Sequence, residues 1–189
     1  MIGRLTKEVV AVIRQCYQEK TKVYDFGVDS FKSLEGFDFN SKSPLQKSLW
    51  INPQSSFTGN TLTITLPVLK VPEELKFPPG ANLCKLKICV SLFNLQEGKS
   101  LNTKDLRTLE VMRNQQILEQ TEFTFQVPDG CLCLATIGLH YYAKGATEVV
   151  VKNSKIFNPA AICGIYVKDG IFNPEKPVNW TFNAKAVFN

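Results

Sequence analysis

Residues 82–95 read NLCKLKICVSLFNL. Every second side chain from Cys84 to Leu92 is apolar, and Lys85, Lys87 and Ser91 stand between them. Because successive side chains of a strand point to opposite faces, this alternation predicts a strand with one buried face and a firmly fixed register. The same alternation, interrupted by Pro, Gly and Asn turn signals, recurs from Leu62 to Val167 and predicts an all-β sandwich or barrel.

Turn residues delimit the other predicted strands. Thr58-Gly59-Asn60 precedes the alternating run 61–66, and Pro128-Asp129-Gly130 separates the runs 121–127 and 131–143. We expect 82–95 to be the longest strand and 96–104 to be a polar loop. Shorter or weaker patterns predict strands at 47–51, 106–118 (with a helix as the alternative), 147–152 and 160–167, and a final strand containing Trp180, Phe182, Val187 and Phe188.

The first segment has a different period. Residues 3–20 place Leu5, Val9, Val12, Ile13, Cys16 and Tyr17 at helical spacing, which predicts an amphipathic helix, with a strand as the alternative. We therefore divide the chain into a helix over 1–23 that packs on the sandwich and a β-sandwich domain over 24–189. The aromatic residues between 24 and 40 are expected to close one end of the core, the alternative being an exposed aromatic binding surface.

Charge and cysteine content restrict the possible functions. The net charge of +5 is spread along the chain without a basic run, and lysine outnumbers arginine, so the pattern argues against nucleic acid as a partner. The six cysteines are expected to be free thiols that act as small apolar residues. With one histidine and no C-x-x-C pair, the sequence predicts neither a zinc site nor a cofactor.

Targeting signals are not evident in the sequence. The early apolar run, residues 9–13, is too short for a signal-peptide core, and no stretch reaches the roughly 20 apolar residues of a membrane span. We expect a soluble, cytoplasmic protein without a membrane span; export would require a leaderless route or a preceding segment.

Catalytic chemistry has little support in the sequence. His140 lacks an evident orienting partner, and the glycines follow turn positions without a phosphate-binding motif. We therefore predict a protein that is not an enzyme: a binding or structural module whose partner is an unknown protein or glycan. The residues we expect at the partner-binding surface are Trp50, His140, Tyr142 and Trp180. The alternative is a hydrolase of unfamiliar type, in which two Asp or Glu carboxylates converge in a pocket.

The turn and strand residues of 30–167 also resemble a known group. Its motifs are Ser30-Phe31-Lys32, Ser43-Pro44-Leu45, Ile51-Asn52-Pro53, Thr58-Gly59-Asn60, Leu66-Pro67, Val71-Pro72 and Pro79-Gly80-Ala81. In these the chain is similar to an uncharacterised all-β family of Bacteroidota, of the domain-of-unknown-function type. The resemblance implies a two-sheet immunoglobulin-like β-sandwich behind the N-terminal amphipathic helix. It implies no activity and no catalytic residue.

Overall fold

The computed structural model describes residues 2–102 and 105–182, and these residues form one α-helix and a series of antiparallel strands. Val187 and Phe188 of the predicted last strand lie outside the described residues, as does the end of the predicted loop at 103–104. The elements are α1 (Ile2–Gln15), β1 (Tyr17–Gln18), β2 (Val23–Tyr24), β3 (Gln54–Thr58), β4 (Thr61–Leu66), β5 (Leu69–Lys70), β6 (Leu83–Asn94), β7 (Lys99–Leu101), β8 (Asp105–Met112), β9 (Ile117–Leu118), β10 (Thr121–Gln126), β11 (Cys131–Lys144), β12 (Val149–Val151), β13 (Ala160–Lys168) and β14 (Trp180–Phe182).

The strands form one large sheet and one small sheet. In the large sheet, β11 pairs with β6 on one side and with β13 and β12 on the other, and β6 continues to β8 and β7, with β14 beyond β7. The small sheet has the order β10-β4-β3. Two further pairs, β1 with β2 and β5 with β9, stand apart from these sheets.

The main core lies between the two sheets. Leu62, Ile64 and Leu66 of β4 are fully buried, and the threonines between them face outward, as the alternation predicts. They share one apolar cluster with the inner faces of β6 and β11, which include Ile88 and Ile137. Burying these apolar side chains between two sheets provides the main driving force for this part of the fold.

A second apolar cluster lies on the other face of the large sheet. Val12 and Cys16 of the α1 segment pack there with Ile162 and Ile165 of β13, and the start of β11 contributes Leu132 and Leu134. The aromatic side chains of the 24–40 segment join them, with Phe31 only 2% exposed. The aromatic segment is thus part of a core, although this core lies beneath the helix and not at one end of the sandwich.

The outward face of strand β11 changes from apolar to polar residues along its length. The first half of the strand is covered on both faces, by α1 and by the small sheet, and Leu132 and Leu134 therefore meet the helix cluster. From Thr136 onward the outward positions are Thr136, Gly138, His140 and Tyr142, and none of them belongs to the second apolar cluster. The outward positions are half-buried from Leu132 to Tyr142, so the predicted change from a strand buried on both faces is found in the polarity of these residues and not in their burial.

Several boundaries differ from the sequence expectations. The predicted strand at 47–51 is wrong: a 3₁₀ helix over Leu45–Lys47 is followed by an isolated bridge between Leu49 and Leu75. The predicted loop at 96–104 contains the short strand β7, whose three residues, Lys-Ser-Leu, are too few to show an alternating pattern. The longest strand is β11, with 14 residues, and not β6, with 12.

One side chain spans the interval between β12 and β13, which both lie along the same edge of β11. The Asn153 Oδ1 accepts the N–H of Tyr141 over 2.7 Å, and its Nδ2 donates to the carbonyl of Leu139 over 3.0 Å. The amide therefore supplies the donor and acceptor that a neighbouring strand would otherwise provide.

The six cysteines are free thiols. Burial raises the pKa of Cys84, Cys131, Cys133 and Cys163 to about 12. These four thiols therefore stay protonated at neutral pH and pack as small apolar groups. They are also unreactive, because the thiolate is the reactive form of cysteine. Among the described residues no helix is both long and apolar enough to cross a membrane.

Candidate functional site

The four residues expected at a binding surface lie in three separate places. Trp50 is 55% exposed and follows the 3₁₀ helix, where its N–H donates to the carbonyl of Glu74. His140 and Tyr142 lie two positions apart on the outward face of β11, beside the first half of β6. Trp180 begins β14, which pairs with β7 beyond the other end of β6. Only His140 and Tyr142 are therefore neighbours.

The surface around His140 is a charged sheet face. Lys85 is the cross-strand partner of His140; its Nζ lies 2.7 Å from Glu110 and 5.6 Å from the centre of the Tyr142 ring. The hydrogen bond between Lys85 and Glu110 raises the pKa of the lysine and lowers that of the carboxyl group. Burial, assisted by the charge of Lys87, lowers the pKa of His140.

This face lacks the geometry of general acid–base catalysis. A catalytic histidine is normally oriented by a carboxylate or carbonyl on its second nitrogen. Among the described residues no hydrogen bond or ion pair joins the His140 ring to a carboxylate, and Glu110 is held by Lys85. Within the described residues His140 therefore lacks the orienting carboxylate that a catalytic histidine normally has.

A second polar group, which the sequence did not reveal, surrounds Tyr166 of β13. Its hydroxyl lies 2.8 Å from the Ser55 hydroxyl and accepts a hydrogen bond from Lys32 Nζ over 3.0 Å. Lys32 also pairs with Glu35 at 2.9 Å. Gly164 permits this approach of β3 to β13, since a Cβ at that position would lie 3.0 Å from the Cβ of Ser55.

The Tyr166 group could suggest a serine nucleophile, but its hydrogen bonds oppose that function. The Tyr166 hydroxyl donates to the carbonyl of Ser55 over 3.1 Å, so it is not poised to remove the Ser55 proton. The Ser55 hydroxyl donates over 3.4 Å to Glu35 Oε1, which is already paired with Lys32. Burial lowers the pKa of Lys32, but its hydrogen bonds with Glu35 and Tyr166 outweigh that effect and the net shift is upward. A lysine held in its charged form cannot act as a base. We interpret this group as a polar connection between β3, β13 and the 32–34 turn.

The strongest candidate for a site is a cleft of about 700 Å³ at the end of the molecule where β10 turns into β11. One wall is the turn of Pro128 and Asp129, with Asn60 beside it, and the other is the segment 171–180. We call it the loop-end cleft. Its volume falls in the range of small-molecule sites in proteins.

Two glycines fix the wall of the loop-end cleft. Gly130 has φ +69°, and a Cβ there would lie 2.9 Å from the backbone nitrogen of Phe172. Gly170 has φ +117°, and a Cβ there would lie 2.8 Å from the Cβ of Asp129. Only glycine combines a left-handed backbone with such close approach, so the turn and the 170–174 segment stay in direct contact.

The loop-end cleft combines an indole with amide and carboxylate side chains. The Trp180 ring stands edge-on to Phe172, with 4.7 Å between ring centres, which holds the indole at the cleft wall. Asn60 Nδ2 donates to Asp129 Oδ1 over 3.2 Å, and Gln126 Nε2 donates to the Thr61 hydroxyl over 3.2 Å. The other polar residues that line it are Asn173, Glu175, Lys176 and Asn179.

The sequence identified Trp180 but not its companions. Asn60, Asp129 and Asn173 belong to the Gly-Asn, Asp-Gly and Asn-Pro turn signals, which are explained by turn formation alone. The sequence could have linked these residues to one site only through their position in turns, because turns that end neighbouring strands can lie at the same edge of a sheet. Which turns lie at the same edge depends on the strand order, and the alternating pattern of apolar residues does not determine that order.

Asp129 and Glu175 place two carboxylates on the loop-end cleft, as the hydrolase alternative requires. The Asp129 side chain, however, is 49% exposed, and its Oδ1 lies 3.6 Å from Lys168 Nζ in addition to its bond from Asn60. A general acid at neutral pH needs a carboxyl group in an apolar environment. The Asp129 carboxyl group is instead exposed and paired with polar partners. Among the described residues no cluster of three or more His, Cys, Asp or Glu side chains could hold a metal ion.

The comparisons with known proteins add no further assignment. The sequence matches no protein-family model, and comparison with curated proteins and with solved structures finds no match. The function must therefore be argued from the geometry of the molecule.

Proposed function

We propose that this chain is a non-catalytic binding module that takes a glycan in the loop-end cleft. The observation that carries the proposal is the combination of one indole, held by Phe172, with amide and carboxylate groups in a cleft of about 700 Å³. A sugar ring has apolar C–H faces and hydroxyls at its edges. Aromatic rings complement such faces, and Asn, Gln and Asp side chains can donate to or accept from neighbouring hydroxyls.

A non-catalytic role is supported by how the polar groups are used. Asp129 is engaged by Asn60 and Lys168, and the buried thiols are protonated. His140 lies on β11 beside the N-terminal end of β6, whereas the loop-end cleft lies beyond the other end of that strand. A binding site needs none of these groups to be an acid, a base or a nucleophile.

We further propose that the two sheets form an immunoglobulin-like sandwich. The order β3-β4-β10 corresponds to strands A, B and E of that fold, and β8-β6-β11-β13 corresponds to C′, C, F and G. On this scheme the loop-end cleft lies among the A–B and E–F turns. Inter-strand backbone contacts measured by NMR would test the assignment, and pairing of β8 with β10 in place of β6 would contradict it.

The glycan proposal can be tested with the two tryptophans of the chain. The wild-type protein is first screened against an array of defined mono- and oligosaccharides, and the strongest probe is then titrated by calorimetry. In a Trp50→Phe variant, Trp180 is the sole indole and its emission reports on the cleft. We expect the bound saccharide to shift that emission, and Trp180→Ala to weaken binding at least about tenfold.

Trp50→Ala is the matched control, because it removes an exposed indole outside the loop-end cleft. Asn173→Ala, which truncates an exposed cleft side chain without touching the core, is a second test that does not endanger folding. Loss of binding in Trp50→Ala with full binding in Trp180→Ala and Asn173→Ala would contradict the proposal. So would failure of the folded wild-type protein to bind any saccharide on the array.

A further inference from the structure

Strand β12 leaves an open, apolar edge on the large sheet. It is the outermost strand on its side of β11, and Val149, Val150 and Val151 are 54%, 43% and 61% exposed. Natural sheets protect such edges with proline, inward charge or very short polar strands, because an open edge is a template for another strand. Three consecutive exposed valines give the β12 edge no such protection.

The hydrogen bonds of β12 decide which backbone groups are open. The N–H of Lys152 donates to the carbonyl of Tyr141, and the N–H of Gly145 donates to the carbonyl of Glu148. Each residue of an antiparallel strand directs its N–H and C=O to the same side, and the side alternates from one residue to the next. The N–H and C=O groups of Glu148, Val150 and Lys152 therefore point toward β11. Val149 and Val151 therefore direct their N–H and C=O groups away from the sheet.

The sequence of this edge is complementary to itself. When two copies run antiparallel with the two Val150 residues facing each other, Val149 lies opposite the partner's Val151, and these are the residues with outward backbone groups. Glu148 then lies opposite the partner's Lys152, and the two-fold axis repeats that pair. Among the described residues, neither Glu148 nor Lys152 belongs to an ion pair within its own chain.

We propose that the protein forms a two-fold symmetric dimer in which the β12 edges of two copies pair antiparallel about Val150, joining the two large sheets into one. Val149 and Val151 of both copies form an apolar row on the outer face. Glu148 and Lys152 form cross-strand ion pairs on the other face, on each side of the paired Val150 residues. Hydrogen bonds fix the pairing, and the charges fix the register.

The interface is one short strand from each copy, smaller than a standard protein interface, so the dimer is weak and depends on concentration. Sedimentation velocity of the full chain from about 1 µM to about 1 mM covers the relevant range of dissociation constants. Glu148→Lys and Lys152→Glu each place like charges opposite one another twice. We expect each to raise the dissociation constant about tenfold or more.

The double variant Glu148→Lys/Lys152→Glu separates this register from unspecific association, because exchanging the charges restores both ion pairs. We expect its dissociation constant to return to within about threefold of wild type. Glu19→Lys and Lys20→Glu, exposed positions in the turn between β1 and β2, are the matched charge controls and should leave dimerisation unchanged. A wild-type protein that stays monomeric throughout, or a double variant that is not restored, would overturn the proposal.

A second test does not depend on charge. The two Val150 residues would form a non-hydrogen-bonded pair with Cα atoms about 4.5 Å apart, which a disulfide can span. We expect Val150→Cys to form a cross-linked dimer under mild oxidation, and Val149→Cys, which faces a different residue, to cross-link far more slowly. The wild-type protein gives the background from its own cysteines. Equal cross-linking at the two positions would rule out this register.

Discussion

Two buried tyrosines illustrate how differently the same side chain can be used. Tyr141 and Tyr166 are 0% and 6% exposed, and both belong to the main core. The Tyr166 hydroxyl is bonded to Ser55 and Lys32, whereas the Tyr141 hydroxyl has no hydrogen-bond partner among the described residues. Ser48 approaches Tyr141 closely enough to oppose the rise that burial causes in its pKa, but it does not complete a hydrogen bond.

We predict that Tyr141→Phe changes the free energy of unfolding by less than about 1 kcal/mol or increases it, because it removes a buried hydroxyl that is not satisfied. Tyr166→Phe should lower it by about 0.5 to 1.5 kcal/mol, because it removes the hydroxyl that bonds Ser55 and Lys32 and leaves both with Glu35 alone. Urea unfolding of the two variants beside wild type measures both values. An equal loss in the two variants would show that the hydrogen bonds of Tyr166 contribute nothing net.

At the scale of elements, α1 depends on the surface that it covers. Its sequence is rich in β-branched residues, which lowers helix propensity, so burial against β13 and β11 must stabilise it. Val10 and Val12 illustrate the difference between the exposed and the buried face of α1. Val12 is 4% exposed and belongs to the second apolar cluster, whereas Val10 is 37% exposed.

Alanine at these two positions should therefore have opposite effects. Val12→Ala removes two buried carbon atoms and leaves a cavity, and we expect it to lower the free energy of unfolding by about 2 kcal/mol. Val10→Ala should be neutral or stabilise the protein by up to about 0.5 kcal/mol, because alanine has the higher helix propensity. Thermal or urea unfolding measures the difference. Equal effects of the two substitutions would mean that α1 is not held by the sheet.

Alternation predicted the strands that are long enough to display it. The runs that became β4, β6, β10 and β11 each have a buried face with a period of two, and the helical period of 3–20 predicted α1. The strands β5, β7 and β9 have two or three residues, which is too few for a period. They are strands because of their pairing, β7 in a hairpin with β6 and β5 with the more distant β9. Trp50 illustrates the opposite error, since its apolar neighbours Leu49 and Ile51 suggested a strand where a 3₁₀ helix and a single bridge occur.

At the scale of the whole molecule, the large sheet is a middle layer that is only partly covered. The small sheet covers its inner face, and α1 covers the outer face where β13 and the start of β11 lie. The rest of the outer face carries Lys85, Lys87, Glu110 and His140. Stability of the whole chain is therefore coupled to the protonation of this surface.

His140 gives that coupling a sign. Burial, with a contribution from Lys87, lowers its pKa in the folded state, so the unfolded chain binds the proton more readily. The stability from keeping His140 neutral is fully present above its unfolded pKa of about 6.5 and falls as the pH drops below it. As the chain has one histidine, His140→Gln should flatten the dependence of stability on pH between about 5 and 7.

Urea midpoints of wild type and His140→Gln at successive pH values measure this effect. Lys87→Gln is the companion variant, since removing its charge should raise the pKa of His140 and make the dependence shallower. Identical pH profiles for wild type and His140→Gln would contradict the prediction.

The loop-end cleft could not have been predicted residue by residue. Asn60 and Asp129 are 69 positions apart, and their hydrogen bond exists because β4 and β10 are neighbours in the small sheet. Trp180 could be singled out as an aromatic side chain of the kind that lines a glycan-binding face. Its association with Phe172 and the amides follows from where β14 pairs with β7, which no local pattern encodes.

Asn153 has a consequence for how the protein can change over evolution. Its amide occupies the place of a strand beside Tyr141 and Leu139, so the chain can leave the sheet after β12 and return as β13 without exposing the backbone of β11. The register of each strand is fixed on its own side of the excursion. Substitutions at the exposed Lys155 and Ile156 can therefore be tolerated without a change in the large sheet, to which both flanking strands belong. Insertions next to them are more restricted, because the ring of Phe157 stands edge-on to that of the buried Tyr141.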